Sequence, residues 1–327
     1  MKPSPSPAQR WLRRLSWVVV ALASAYFLRE LVRRFADIPP IDWGPATVAV
    51  FILAAAGIAM TSALIGLMWM LLLRDQSIRL PLGKAMQIVA ISQIGKYLPG
   101  NVGHFAGRAV MGRTAGVPMG VTAGTLLIEM AWTLAIGAGF SALALLFYLD
   151  SSARLSLPPV GIPELGAVAA LLLAGPWLGI HAVNRLAPGL SARVGGGKPL
   201  APPRLGTALA VSVLLTVCFF ILGVVLQLQA IWFFQVEQAP LLPLTFLFAA
   251  AWLVGYVVPG APGGLGVREA MMLVLLTPVV GAGAAVGLGI SMRLVTLAGD
   301  GTAFLLGMFS RRWMPSDEAP PQNSHLR

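Results

Sequence analysis

The chain has 327 residues, of which 57% are hydrophobic and only 11% are charged. This composition excludes a soluble globular protein, because the charged side chains are too few to cover the surface of one. The formal net charge of +11 would suit a nucleic-acid-binding protein, but the basic residues lie in short segments beside apolar runs, without a soluble module to carry them. We therefore interpret the charge as a signal of membrane topology.

Long stretches without charge predict membrane-crossing helices, since about 20 apolar residues at a 1.5 Å rise span a hydrocarbon core of about 30 Å. Transmembrane strands would be shorter and would alternate in polarity. We predict an all-α, polytopic membrane protein with about six full spans and two Pro/Gly-broken, re-entrant helix pairs. The predicted organisation is a basic cytoplasmic tail at residues 1–15, one transmembrane domain at residues 16–312, and a cytoplasmic tail at residues 313–327.

The N-terminal segment has two interpretations. Basic residues precede a short apolar run that ends near Ala23, Ser24 and Ala25, as in a signal peptide, but we favour a retained first helix. Basic clusters at residues 2–14, 74–84, 185–204 and 311–312 predict cytoplasmic segments. We expect a bacterial inner-membrane protein with both termini in the cytoplasm, although the arginines at residues 29–34 disagree with this topology.

No metal or cofactor is expected. Cys218 is the single cysteine and lies in an apolar stretch, so no thiolate cluster is available. The histidines at positions 104, 181 and 325 are too scattered to suggest a metal site. The Gly-rich segment at residues 195–199 lacks the spacing and the hydroxyl of a nucleotide-binding loop.

An internal repeat is the most informative feature of the sequence. Residues 99–108 and 259–268 share the pattern P-G-x-x-G-x-x-x-x-R, and Tyr97 and Tyr256 precede the two copies. Proline removes a backbone donor and glycine permits conformations that end a helix, so each copy should break its helix. Broken backbone is tolerated in a membrane only against protein or a watery cavity, as in transporters.

The number of crossings between the two copies predicts their relation. Residues 119–149, 164–183 and 206–234 provide three crossings, and an odd number places the second copy on the opposite face of the membrane. We therefore predict an inverted-topology repeat whose halves cover about residues 16–149 and about residues 160–312. The alternative is that both copies are ordinary helix-to-helix turns at the two surfaces.

The repeated arginines, Arg108 and Arg268, define a candidate anion site. A guanidinium beside glycine amides at a helix N-terminus suits a phosphate, whereas the alternative is that each arginine snorkels to the membrane interface. The predicted headgroup-binding residues are Tyr97, Pro99, Gly100, Gly103, Arg108, Pro259, Gly260, Gly263, Gly264, Gly266, Arg268 and Glu269.

Three further ionisable residues, Glu129, Arg293 and Asp300, lie deep in apolar stretches. Arg293 and Asp300 are seven residues apart, which places them on one helix face and predicts that they line one groove. Glu129 requires a cation from another helix, since a buried unpaired carboxylate is costly. We expect either a structural ion pair with Arg293 or a role in transport.

Several of these residues resemble a known family, the transmembrane region of lysylphosphatidylglycerol synthases and the stand-alone membrane proteins that share it. The resemblance is carried by G-K-Y-L-P-G-N at residues 95–101, Glu129, P-G-G-L-G-V-R-E-A at residues 262–270, Arg293, and I-D-W at residues 41–43. It covers about residues 16–310. The resemblance implies lipid handling: the flipping of aminoacylated phospholipids, or glycan pathways that use lipid-linked intermediates.

We therefore expect a flippase-like transporter, not an enzyme, that moves an anionic lipid or lipid-linked glycan intermediate. The expected partners are a phospholipid or polyprenyl-phosphate-linked substrate and a glycosyltransferase or synthase, without nucleic acid; the oligomeric state is open. The chain has no soluble catalytic domain after Arg312, so aminoacyl transfer is not expected. Two alternatives are an accessory subunit of a polysaccharide or lipid-modification pathway, and an intramembrane enzyme that uses Glu129, Glu269 or Asp300.

Overall fold

The computed structural model describes residues 7–98, 103–147, 162–258 and 261–310. All regular structure within these ranges is helical, which confirms the all-α prediction. The α-helices are α1 Pro7–Arg33, α2 Pro45–Asp75, α3 Leu82–Gln93, α4 Gly103–Thr114, α5 Met119–Phe147, α6 Ile162–Leu186, α7 Pro188–Val194, α8 Leu205–Trp232, α9 Leu241–Val257, α10 Val267–Val280 and α11 Ala282–Ser310. Short 3-10 turns occupy Phe35–Asp37, Ile94–Tyr97 and Pro262–Gly264.

Four of the described helices, α2, α5, α8 and α11, are long and apolar enough to cross a membrane. The longest, α2, has 31 residues and is about 46 Å long at the α-helical rise. Helices α1 and α6, with 27 and 25 residues, also exceed the roughly 20 residues that a crossing needs. The chain is therefore a polytopic helical membrane protein.

The two copies of the repeat form two helical hairpins. Helices α3 and α4 pack against each other and make the first hairpin, and α9 and α10 make the second. These helices have 12, 12, 17 and 14 residues and are about 18 to 26 Å long, less than the bilayer core of about 30 Å. The chain turns between the two helices of each hairpin, and the described residues that flank each turn are called the tip below. Pro99, Gly100, Pro259 and Gly260 lie outside the described residues.

Glycine is required at both tips for different reasons. In the second hairpin, Gly263, Gly264 and Gly266 have φ angles of 54°, 74° and 77°, which residues with a Cβ atom rarely adopt. In the first hairpin, a Cβ at Gly103 would overlap the carbonyl oxygen of Gly95. Glycine therefore allows the chain to turn sharply in one tip and to approach itself closely in the other.

Helices α2 and α8 run antiparallel. The Gln76 side-chain amide donates to the Ala201 carbonyl oxygen at 2.7 Å, and the Arg204 backbone amide donates to Asp75 at 2.9 Å. The end of α2 thus lies beside the start of α8. Because α3 follows the end of α2 and α9 follows the end of α8, the two hairpins start from opposite ends of the bundle, and their tips contact each other.

The packing around the two hairpins is reciprocal. Helix α11 packs on α2 and α3, and α5 packs on α8 and α9, so each long helix that follows one hairpin contacts the first helix of the other. The element order, which is a long helix, a hairpin and another long helix, therefore occurs twice and interlocks. In this repeated arrangement of the described helices, α2 corresponds to α8, α5 corresponds to α11, and the first hairpin corresponds to the second.

Apolar packing on both sides of the hairpins holds them in place. One cluster includes Leu226, Phe248, Met272 and Leu288, each no more than 1% exposed, and joins α8, α9, α10 and α11. Other clusters join α2 to α3 and α5 to α8. In a bilayer such packing stabilises mainly through close van der Waals contact, because lipid tails are as apolar as the side chains they replace.

The two ends of the bundle differ in charge. The end where α2 terminates and α8 begins, called the basic end below, carries Arg74, Arg79, Lys84, Arg113, Arg193, Lys198 and Arg204. The opposite end carries Asp37, Asp42 and Glu237. The arginines after α1 also lie at that opposite end, where Arg33 and Arg34 pair with Glu30 at 3.3 and 2.9 Å, so part of their charge is offset locally.

Candidate functional site: a charged cavity between two hairpins

A cavity of about 200 Å³ lies at mid-height in the bundle. Its walls come from the central parts of the four long helices, with residues 58–68 of α2, 129–133 of α5, 215–222 of α8 and 292–300 of α11. Both hairpin tips complete the lining. Two hairpins that start from opposite ends therefore reach the same central volume.

Arg108 of α4 is the cationic residue of the first hairpin. Its side chain is 1% exposed, and its Nη1 lies 2.6 Å from Oε2 of Glu129 on α5. The guanidinium carbon also lies 5.5 Å from the centre of the Trp69 ring, within the range of a cation–π interaction. The structure corrects the expectation that Arg293 pairs with Glu129. Because α4 returns directly against α5, Arg108 is the cation that reaches the Glu129 carboxylate.

Arg268 of α10 is the corresponding residue of the second hairpin and is 7% exposed. Its Nη2 lies 3.2 Å from Oε1 of Glu269, and Nη1 of Arg293 lies 3.5 Å from the same oxygen. The other carboxylate oxygen of Glu269 accepts a hydrogen bond from the Gly266 amide at 2.7 Å, so the side chain also caps α10. Glu269 thus joins two arginines to the start of a helix.

Burial decides between two interpretations of the repeated arginines. A snorkelling arginine extends its guanidinium into the interface and leaves it hydrated, whereas Arg108 and Arg268 are buried and line the central cavity. The Nε atom of each is buried without a hydrogen-bond partner among the described residues. A buried donor of this kind favours a hydrogen-bond acceptor from outside the chain.

Lys96 and Tyr97, in the turn at the first tip, both contact Asp300 of α11. Lys96 Nζ lies 2.7 Å from Asp300 Oδ2, and the Tyr97 hydroxyl donates to the same oxygen at 2.5 Å. Asp300 is 1% exposed, so it depends on these two donors for its buried charge. The carboxylate binds the first hairpin to α11.

Arg293, two turns earlier on α11, contacts the second tip. Its Nη1 donates to the Gly263 carbonyl oxygen at 3.0 Å, and its guanidinium carbon lies 5.7 Å from the centre of the Tyr97 ring. Arg293 and Asp300 both line the cavity, as their spacing predicts. One face of α11 therefore holds both hairpin tips.

The cavity is net positive. Lys96, Arg108, Arg268 and Arg293 face it against the carboxylates of Glu129 and Asp300, four positive charges against two negative ones. Glu269 lies behind this lining and offsets one more positive charge through its contacts with Arg268 and Arg293. The arrangement favours an anion in the low-dielectric interior.

The structure brings together most of the predicted site residues. Tyr97, Arg108, Gly263, Gly264, Arg268, Glu129, Arg293 and Asp300 line one cavity. Gly103 and Gly266 shape the tips, and Glu269 acts through its arginine partners. Sequence reasoning missed several polar residues of the lining: Thr61, Ser62, Gln93, Lys96, His104, Thr133, Tyr256 and Thr296.

Three of the missed residues had a sequence signal. Lys96 directly precedes Tyr97 in the G-K-Y-L-P-G-N element, His104 lies inside the first copy of the repeat, and Tyr256 precedes the second copy. The Nδ1 atom of His104 is buried without a hydrogen-bond partner among the described residues. The small polar residues of α2 carry no such signal, because Ser and Thr are common in membrane helices.

Fold and site together define a class: a polytopic helical membrane protein in which two interrupted hairpins place buried charges around a central cavity. The chain matches the family described as "Lysylphosphatidylglycerol synthase TM region" over residues 14–301. It therefore belongs to that family, as the motifs in the sequence predict. No curated protein matches the chain.

Proposed function

We propose that this chain is a lipid translocase that moves an anionic, phosphate-bearing lipid across the bacterial inner membrane without altering it chemically. The lipid is a phospholipid or a polyprenyl-phosphate-linked glycan intermediate. The observation that carries the proposal is the pair Arg108 and Arg268. They are buried on hairpins from opposite ends of the bundle and line one cavity, and the Nε donor of each has no hydrogen-bond partner among the described residues.

The chemistry of these groups fits a phosphate. Each guanidinium has a planar set of donors that matches phosphate oxygens, and one set of donors on each arginine is already oriented by Glu129 or Glu269. The Nε donors lie outside those ion pairs. A phosphate oxygen would satisfy them without breaking either ion pair.

The size of the cavity fits a headgroup and not a whole lipid. A volume of about 200 Å³ is smaller than the roughly 300 to 1,000 Å³ of pockets that enclose drug-sized ligands. In the proposed mechanism the headgroup crosses through the cavity while the hydrocarbon chains stay in the bilayer. The charge that would make crossing costly is then offset by the cationic lining.

The opposed hairpins supply a route between the two leaflets. Antiparallel α2 and α8 and the reciprocal packing of α5 and α11 support an inverted repeat, whose site lies near the midplane in transporters that alternate access. Arg108 and Arg268 would bind the phosphate in succession as the cavity opens first to one leaflet and then to the other.

We also propose that the basic end faces the cytoplasm, because short cytoplasmic segments are enriched in Lys and Arg. The first residue of α1 and the last residue of α11 then lie on the cytoplasmic side. A synthase or glycosyltransferase that makes the lipid would deliver it at this end.

The contacts of the carboxylates favour binding over catalysis. Glu129, Asp300 and Glu269, the candidate acid/base residues, are engaged by Arg108, by Lys96 and Tyr97, and by two arginines respectively. An acid/base residue has to exchange a proton with its substrate, whereas these carboxylates already accept ion pairs and hydrogen bonds from side chains of the same protein.

The test is translocation in proteoliposomes. Fluorescent phosphatidylglycerol, phosphatidic acid, phosphatidylcholine and a polyprenyl phosphate are reconstituted separately, and movement is measured by quenching from one side. We expect the protein to move anionic lipids in preference to zwitterionic phosphatidylcholine, with the lipid unchanged by mass spectrometry.

Matched arginine variants provide the controls. Arg108→Ala and Arg268→Ala should abolish movement, whereas Arg204→Ala, whose side chain is 86% exposed at the basic end, should leave it intact. Movement that persists in both cavity variants, or a covalently altered lipid, contradicts the proposal.

A further inference from the structure

Lys96 differs from the other cations of the cavity in what its ion pair holds together. Arg108 pairs with Glu129 on the next helix, and Arg268 pairs with its neighbour Glu269. Lys96 pairs with Asp300, which is more than two hundred residues away in the chain and belongs to the last described helix. Its ion pair therefore joins the first hairpin to the opposite half of the bundle.

The two members of this pair are unequally buried. The Lys96 side chain is 24% exposed, whereas that of Asp300 is 2% exposed. Lys96 Nζ therefore faces the cavity with donors to spare, since an ammonium has three. Asp300 has a second donor in the Tyr97 hydroxyl, so its carboxylate keeps one hydrogen bond when Lys96 changes partner.

The position of the carboxylate resembles that of a bound anion. Asp300 Oδ2 accepts from both Lys96 and Tyr97 at the tip of the first hairpin, in the cavity that Arg108 and Arg268 also line. A phosphate oxygen presents the same acceptor chemistry and charge. The two anions would therefore compete for one ammonium.

We propose, on the basis of the proposed function, that Lys96 is a third headgroup-binding cation and that Asp300 is its built-in competitor. An arriving phosphate takes Lys96 from Asp300 and so loosens the first tip from α11, which then holds that tip through Tyr97. A zwitterionic headgroup replaces the carboxylate less well, because its own cation would have to enter a net-positive cavity. The exchange thus makes loosening of the tip depend on an anionic substrate.

The other end of the same helix face explains why the loosening is one-sided. Arg293 holds the second tip through the Gly263 carbonyl oxygen and through Glu269, and neither contact involves Lys96. The second tip therefore keeps these contacts with α11 while the first is loosened. Such a difference between the two halves fits alternating access, in which one repeat moves or gates against the other.

Binding of a short-chain anionic lipid tests the competition. Dihexanoylphosphatidylglycerol is titrated into the detergent-solubilised full chain by calorimetry, with dihexanoylphosphatidylcholine as the zwitterionic control. Asp300→Asn removes the competing charge and keeps the side-chain shape, so it should tighten binding of the anionic probe about tenfold, within the usual range of coupling between sites. Lys96→Gln should weaken binding about tenfold, the loss expected for a charged hydrogen bond.

The double variant separates competition from a structural role. In Lys96→Gln with Asp300→Asn, the gain from the second substitution should vanish, because no ammonium remains to be freed. A merely structural ion pair predicts instead that both single variants bind more weakly in proportion to lost thermal stability. Lys96→Arg should retain binding, and Glu30→Gln, which breaks an ion pair outside the cavity, should leave affinity unchanged.

The outcomes also distinguish this inference from the proposed function. If the parent protein binds the anionic probe but Asp300→Asn does not tighten binding, the competition is wrong and translocation stands. If the parent protein binds neither probe, both are wrong. Loosening of the first tip is measured separately, by the distance between spin labels at Leu98 and Leu294, exposed positions in the first hairpin and in α11, on a Cys218→Ala background. The anionic probe should broaden that distance distribution, and an unchanged distribution contradicts loosening.

Discussion

The pair Arg108 and Glu129 gives the sharpest quantitative prediction. Glu129→Gln leaves the guanidinium of Arg108, whose side chain is 1% exposed, without its carboxylate. Breaking a buried ion pair by removing one partner costs about 3 to 5 kcal/mol. Since the Glu129 side chain is still 12% exposed to the cavity, we take the lower end, about 3 kcal/mol, or roughly a hundredfold in the folding equilibrium.

Removing both charges should recover most of this loss. In Arg108→Gln with Glu129→Gln, no buried charge is left unpaired and two amides can hydrogen-bond to each other, so the net cost should be about 1 kcal/mol or less. The coupling energy of the double-mutant cycle is then at least about 2 kcal/mol. Lipid movement should nevertheless stay absent in the double variant, because the phosphate ligand Arg108 has been lost.

The assay is reversible unfolding in mixed micelles, read by circular dichroism and fitted for the free energy of unfolding. A cycle between Arg108→Gln and Glu30→Gln provides the control, since Glu30 pairs with Arg33 and Arg34 on α1. The effects of these two substitutions on the free energy of unfolding should be additive within about 0.5 kcal/mol. Additive behaviour of Arg108 and Glu129 would refute the ion pair as a source of stability.

Three further predictions test the arginines, the topology and the tips. Arg108→Lys and Arg268→Lys should restore lipid movement only in part, because lysine keeps the charge and loses the planar donors; full activity in both would indicate that charge alone suffices. On a Cys218→Ala background, cysteine at Lys198 should react with impermeant thiol reagents from the cytoplasmic face and cysteine at Glu237 from the opposite face; labelling of both from one face contradicts the topology. Gly266→Ala should destabilise the protein more than Gly281→Ala, measured by thermal unfolding. Both glycines have positive φ, 77° and 82°, but only at Gly266 would the new Cβ overlap Ser24, and equal losses would show that the contact with α1 is unimportant.

The proposed hairpin mechanism accounts for charged residues so deep in the bundle. Each carboxylate of the site contacts part of a hairpin. Glu129 pairs with Arg108 of α4, Glu269 caps α10, and Asp300 pairs with Lys96 at the first tip. Ion pairs in such places are costly to form and costly to break. In the proposed mechanism they hold the hairpins until a substrate of the correct charge replaces a partner.

Helix class and most of the site followed from local patterns. An apolar run of more than 20 residues predicts a helix, because its backbone groups can then all hydrogen-bond within the run in a bilayer. The repeated Pro-Gly pattern predicts that each hairpin is interrupted. Arg108 and Arg268 lie at the same distance from the two Pro-Gly pairs, and this spacing identifies them from the sequence alone. The seven-residue spacing of Arg293 and Asp300 predicted that they share a face, and both line the cavity.

The sequence by itself therefore determined the helices, the two broken hairpins and the identity of the buried charges, because these depend on composition and on periods of a few residues. Only the tertiary structure decided the partners: Glu129 with Arg108 and not with Arg293, and Asp300 with Lys96 and Tyr97. Helical periodicity fixes which face a side chain occupies but not which helix lies opposite. That choice depends on how α2 and α8 run antiparallel and how the hairpins interlock between α5 and α11, and these are contacts between segments far apart in the chain.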